Sequence, residues 1–100
     1  MKSHAAILLF TLVFGASLAA PAAGPNAARE LAANCTGCHG TDGRSAGGMP
    51  ALAGLERNTL VRQMQDFKAG RRPATIMHQL AKGYSDEQIE LIADFFAAQK

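Results

Sequence analysis

The stretch that decides the fold is Asn34-Cys35-Thr36-Gly37-Cys38-His39-Gly40. Two thiols three positions apart, followed at once by an imidazole, make the pattern C-x-x-C-H, the attachment signal for a c-type haem. On one helical turn each thiol can form a thioether to one vinyl group of a single haem, and His39 is then directed at the iron as proximal ligand. Other uses of the pair fit less well. A thioredoxin-like pair needs a βαβ setting, and the chain has no alternating strand pattern. Zinc wants four ligands, and beyond Cys35, Cys38 and His39 only His78 remains, since His4 is expected to be lost with an N-terminal leader. A disulfide across two intervening residues closes a very small loop and stabilises little.

Upstream, the chain reads as an export leader. Lys2 supplies a short positive region, residues 5–20 (AAILLFTLVFGASLAA) an apolar run, and Ser17-Leu18-Ala19 small residues at the −3 and −1 positions of a cleavage site. Cleavage is expected after Ala19, with Ala22 as a second site, leaving residues 20–100 as one domain. The apolar run is shorter than the roughly 20 residues of a spanning helix. The expectation is therefore an exported, soluble periplasmic protein with no stable membrane insertion after cleavage. In that oxidising compartment two cysteines default to a disulfide, and His39 overturns the default.

One hundred residues suffice for one small domain. Ten Lys and Arg against eight Asp and Glu leave a formal net charge of +2. That lacks the basic excess of a nucleic-acid binder. Beyond residue 24 the chain carries only four aromatics, Phe67, Tyr84, Phe95 and Phe96, and no Trp. So few bulky side chains leave the centre to a large flat hydrophobe, and without it the chain is expected to fold poorly.

Downstream, Asn26 is expected to cap a helix running from Ala27 towards Cys38, and Asn58 one from Thr59 to about Ala69, ended by Gly70. Leu60, Val61, Met64 and Phe67 form the apolar face of the second helix, with Arg57, Arg62, Gln63, Asp66 and Lys68 towards solvent. Residues 74–82 make a shorter helical piece. The last helix has the best start signal: Ser85-x-x-Gln88 reads as a capping box, Tyr84 can staple on Ile89, and Ile89, Ile92, Ala93 and Phe96 form the buried stripe. Residues 40–54 (GTDGRSAGGMPALAG) hold five glycines, too many for a regular element, and read as a wrap lying flat against a porphyrin.

A haem held by one His has an open axial position, and Met49, Met64, Met77 and His78 are the candidates for it. Met64 falls in the core stripe, Met49 lies in the wrap, and His78 would give a lower-potential bis-His pair. Met77 is favoured. Gly70 and Pro73 break the preceding helix, so Met77 begins a new segment that can fold over the haem and is steadied by the last helix. A six-coordinate haem has one-electron exchange as its chemistry, which speaks against an enzyme. Positive charge gathers at Arg57, Arg62, Lys68, Arg71, Arg72 and Lys82, and negative charge at Asp86, Glu87, Glu90 and Asp94. Solvated helix faces account for that pattern, and a dipolar docking surface would use it too.

With C-x-x-C-H, the segment Met49-Pro50-Ala51-Leu52-Ala53-Gly54, and Thr75-Ile76-Met77 before a final helix, the chain resembles the class I c-type cytochromes. The resemblance implies an all-α fold of three to four helices wrapped around one covalently bound haem c, with the first and last helices crossing. It also implies that Pro50 offers its carbonyl to His39 Nδ1, orienting the ligand. More narrowly, residues 67–77 and 81–86 resemble the haem domains of the cytochrome subunit of flavocytochrome c sulfide dehydrogenase and of the cytochrome c4 and c553 groups. That subunit and cytochrome c4 are usually di-haem, whereas one C-x-x-C-H is present here. The function implied is a periplasmic mono-haem electron carrier with redox-protein partners. A sulfur-oxidising flavoprotein would serve as donor, and a terminal oxidase or another cytochrome as acceptor. The alternatives are an electron-transfer subunit of a flavin-containing sulfide dehydrogenase and, after it, a five-coordinate haem enzyme or gas sensor.

Overall fold

The computed structural model describes residues 24–100, together with 15 and 16. Apart from those two positions, the expected leader and its cleavage sites after Ala19 and Ala22 lie outside the described residues. Five α-helices and a 3₁₀ turn follow in order: α1 (Ala27–Ala33), α2 (Thr36–His39), the turn Thr41–Gly43, α3 (Arg57–Lys68), α4 (Met77–Ala81) and α5 (Asp86–Ala97). No strand occurs among the described residues, and the fold is all-α as expected.

The core is built on α5. Ile89, Ile92, Ala93 and Phe96 recur at i, i+3, i+4 and i+7 and are all buried. Against this stripe pack α1, through the fully buried Ala32, and α3, through Leu60, while α4 packs on α3. The capping box that starts α5 is complete: the Gln88 N–H donates to Ser85 Oγ at 3.2 Å and the Ser85 N–H to Gln88 Oε1 at 2.9 Å. Two of the donors that a helix start leaves unpaired are thereby satisfied.

Three helix boundaries differ from the sequence reading. The expected first helix is two, α1 and α2, which makes five helices rather than three to four. At the join the Cys35 N–H bonds the Ala32 carbonyl at 2.9 Å, a tightened i→i−3 step, and Asn34 and Cys35 both stay right-handed (φ −66° and −89°). The chain keeps winding, and only its hydrogen-bond register changes. Asn26 holds the cap position of α1 without a side-chain hydrogen bond. Glu56, not Asn58, caps α3. Its carboxylate accepts the Asn58 and Thr59 N–H groups at 3.1 Å each and the Thr59 hydroxyl at 2.8 Å, so α3 begins two residues earlier than Thr59. The piece expected over residues 74–82 is helical only at Met77–Ala81. The Gln79 and Leu80 N–H groups both take the Ile76 carbonyl as acceptor, and β-branched Thr75 and Ile76 stay outside the helix.

Basic α3 and acidic α5 face each other. Arg57 donates to Asp94 and lies 3.5 Å from Glu90, while Asp86 accepts from Gln65 at 2.9 Å and lies 3.5 Å from Lys68. Part of the charge separation visible along the sequence, Arg57 and Lys68 against Asp86, Glu90 and Asp94, is spent across this helix pair. These pairs stand in or beside solvent, which screens them, and they add little to stability.

Candidate haem-binding site

The short helix α2 carries the motif. Cys35 is half-buried, Cys38 is exposed, and both are free thiols. Burial pushes the Cys35 thiol above its ordinary value. His39 closes the helix and is buried. Its Nδ1 lies 2.7 Å from the Pro50 carbonyl oxygen. A carbonyl only accepts, so Nδ1 carries the proton and Nε2 keeps the lone pair that a metal needs.

Pro50 is brought there by a pinned loop. The Ser45 N–H bonds the His39 carbonyl at 2.7 Å, and the Leu52 and Ala53 N–H groups both reach the Gly43 carbonyl, at 2.7 and 3.1 Å. The Gly54 N–H then bonds the Phe96 carbonyl at 2.9 Å, tying the loop to the end of α5. Gly43 is required at its place. It adopts φ +76°, and a Cβ built on it would stand 2.7 Å from the Phe96 ring and 3.0 Å from Leu52 Cβ.

These elements enclose a cavity of about 570 Å³. Cys35, Cys38, His39 and Pro50 line it, as do Met64 and Phe67 of α3, Met77 and Leu80 of α4, and Ile89, Ile92 and Phe96 of α5. Three of the four axial candidates, Met49, Met64 and Met77, thus border the same space. His78 does not line it, and its Nδ1 is buried without a hydrogen-bond partner. Met49, Ile76 and Leu80 border the cavity and are still 41%, 54% and 47% exposed. The space is thus largely apolar inside, with exposed apolar side chains beside a few polar ones at its rim.

Sequence reasoning missed part of this lining. Met64 and Phe67 were expected in the core and instead border the cavity, as does Gln63, which was expected to face solvent. The signal for Gln63 was available, since it stands at i+3 from Leu60 on the same helix face. Asn34 and Arg72, neither of which the sequence marks as part of a cavity wall, also line the space.

The residues fit a covalently held macrocycle. The volume is that of a small-molecule or cofactor site, and the walls suit a large flat hydrophobe. Two free thiols and an imidazole with its Nε2 lone pair stand on one turn. Among the described residues no cluster of three or more His, Cys, Asp or Glu could hold a bare metal ion.

Comparison with known proteins agrees with the site. The family model described as Cytochrome c matches residues 26–100. The chain is 44% identical over 66 residues to the cytochrome subunit of sulfide dehydrogenase of Chlorobaculum tepidum, covering 66% of this chain and 60% of that protein. It is 44% identical over 95 residues to cytochrome c4 of Pseudomonas aeruginosa, covering 93% of this chain and 46% of that one. The structure of Acidithiobacillus ferrooxidans cytochrome c4 matches with a TM-score of 0.65 at 31% identity, over 72% of this chain and 49% of its own. The chain thus spans only about half the length of these relatives. With the family match running through α1 to α5 and through every residue of the cavity wall, this chain belongs to the cytochrome c family.

Proposed function

We propose that the chain is a periplasmic mono-haem electron carrier, exported by a leader at residues 1–19 and folded as one domain over residues 20–100. The observation that carries the reading is the single apolar cavity wall shared by the C-x-x-C-H turn and the segment that bears Met77. Haem c is the cofactor of the family, and one attachment motif implies one haem per chain. When bound, it supplies a one-electron ferric/ferrous couple.

Each residue has a role in that reading. Cys35 and Cys38 hold the cofactor by thioethers, so that it is not lost outside the cytoplasm. His39 Nε2 and Met77 Sδ would hold the iron of the bound group. The Pro50 carbonyl holds the Nδ1 proton of His39, which keeps the ring oriented and strengthens the opposite nitrogen as a donor. Met77, a thioether donor, favours the ferrous state and raises the potential above that of a bis-His pair. Apolar Phe67, Ile92 and Phe96 exclude water, which limits reorganisation on electron exchange. With both axial positions filled there is no place for substrate, and the chain is a carrier rather than an enzyme.

The test is an absorption spectrum with a redox titration of the holoprotein. A covalently bound haem with the weak sulfur-to-iron band near the red end, lost in Met77→Ala, is the expected result. A band that survives in Met77→Ala would move the ligand to Met49 or Met64. Carbon monoxide binding to the reduced protein at neutral pH would replace the carrier with a five-coordinate haem protein. The 44% identity to a sulfide dehydrogenase cytochrome subunit supports a second reading, in which the chain is the electron-transfer subunit of a flavin-containing sulfide dehydrogenase. Haem reduction by sulfide only when such a flavoprotein is added would establish it. A terminal oxidase or another cytochrome would be the acceptor.

A further inference from the structure

We propose that Arg72 is the residue that binds a carboxylate of the haem periphery and sets part of the charge felt at the iron. The inference rests on the reading of the cavity as a haem site and goes beyond it. Arg72 is the one Arg or Lys among the cavity-lining residues, and no Asp or Glu lines the space. A haem brings two propionate carboxylates into this otherwise apolar and neutral surround. An anion placed there has a single permanent cation to meet.

The local sequence explains why Arg72 is at the mouth. At the end of α3 the Arg71 N–H bonds the Asp66 carbonyl at 2.8 Å and the Gly70 N–H bonds the Phe67 carbonyl at 3.1 Å, a Schellman pair, with Gly70 at φ +73°. This turn sends the two arginines to different fates. Arg71 folds back onto Asp66, with Nη2 at 2.9 Å, and is neutralised. Arg72 lies over the Phe67 ring, 5.3 Å from its centroid, and makes no ion pair among the described residues. Pro73 follows and restricts the backbone of Arg72. Stacking on Phe67, itself part of the cavity wall, holds the guanidinium stem while leaving its donors for a planar, bidentate acceptor. Of the cations on α3, Lys68 is engaged elsewhere: it donates to the Tyr84 carbonyl at 2.6 Å and lies 3.5 Å from Asp86.

The test uses the holoprotein and its R72Q, R72M, R72K and R71Q variants. Midpoint potentials are measured at one pH, and redox-induced infrared difference spectra are recorded in the carboxylate region. Removing a positive charge near the iron favours the ferric form. R72Q is expected to shift the ferric/ferrous ratio roughly threefold to tenfold towards ferric at a fixed applied potential, as one unit charge near a partly exposed centre would at an effective dielectric constant of about 20 or more. R72Q should also move a propionate band. R72M, which keeps the apolar stem over Phe67, should do the same, R72K should retain most of the wild-type behaviour, and R71Q should change little. Loaded R72Q or R72M with unchanged midpoint and carboxylate bands would overturn the assignment. So would variants that change only the rate with a redox partner, since Arg72 would then belong to a docking surface. A wild-type protein without covalent haem would instead sink the haem reading itself.

Discussion

The two sides of α5 are built on opposite principles. On one side Ala32 of α1 and Leu60 of α3 meet Ile92, Ala93 and Phe96, and the chain fills its own space, although Leu60, Ile92, Ala93 and Phe96 also border the cavity. On the other, Phe67, Met77, Leu80 and Ile89 line a cavity of about 570 Å³, and Met49, Ile76 and Leu80 remain largely exposed at its border. Both sides use similar apolar residue types. They differ in where the partner comes from: the first side takes its packing partner from the chain and the second leaves room for one that is not amino acid.

The comparison can be broken hardest at the cysteines. A Cys35→Ala/Cys38→Ala double variant, unable to hold its haem covalently, is expected to lose cooperative thermal unfolding seen by far-UV circular dichroism. A compact, sharply melting double variant would mean that the chain fills its own centre after all. On the self-packed side, Phe96→Ala should destabilise the holoprotein by about 3–5 kcal/mol, the range for a buried aromatic truncation. Measured by urea unfolding, a loss below about 1 kcal/mol would show that α5 is not the shared wall of both regions.

Where loop and α5 meet, Gly43→Ala should cost about 2 kcal/mol. Its Cβ would press on the Phe96 ring at 2.7 Å in a backbone conformation at φ +76° that side chains rarely adopt. Restoration by Phe96→Leu in the double variant would assign the loss to that contact. Ser85→Ala removes one half of the α5 capping box and should cost about 1 kcal/mol; the same midpoint measurement checks it.

The smallest effect is acid sensitivity at the surface. The hydrogen bond from the Thr59 hydroxyl, followed by that from the Asn58 N–H, holds the Glu56 carboxyl below its ordinary value, and the hydrogen bond from Gln65 with the Lys68 charge does so for Asp86. Both folded values are depressed, so their contribution is complete above the ordinary carboxyl range near pH 4 and is lost as pH falls through the depressed values. A Glu56→Gln/Asp86→Asn variant should lose less stability than wild type between pH 5 and about pH 2.

Legibility followed the range of the interaction. The α5 stripe and its capping box were readable because their partners are three or four residues apart, and the motif on α2 because its chemistry is contiguous. The cap of α3 was assigned to the commoner residue type at Asn58, whereas Glu56 does the work through a carboxylate long enough to reach two N–H groups. Gln63, Met64 and Phe67 were legible as a helix face but not as a cavity wall. What a face meets depends on a fold that brings α3, α4 and the loop at 40–54 around one space.

By itself the sequence determined the all-α class, the thiol pair with its adjacent imidazole, and the stripe on which the core is built. Those features depend on spacing along one strand of chain, which covalent geometry and helix periodicity impose. Only the tertiary structure decided that Met49, Met64 and Met77 border one cavity while His78 does not, and that Gln63 of α3 and Leu80 of α4 meet across the same space. Each of those outcomes is a contact between segments whose meeting is set by packing against α5, and neither residue type nor spacing encodes such a meeting.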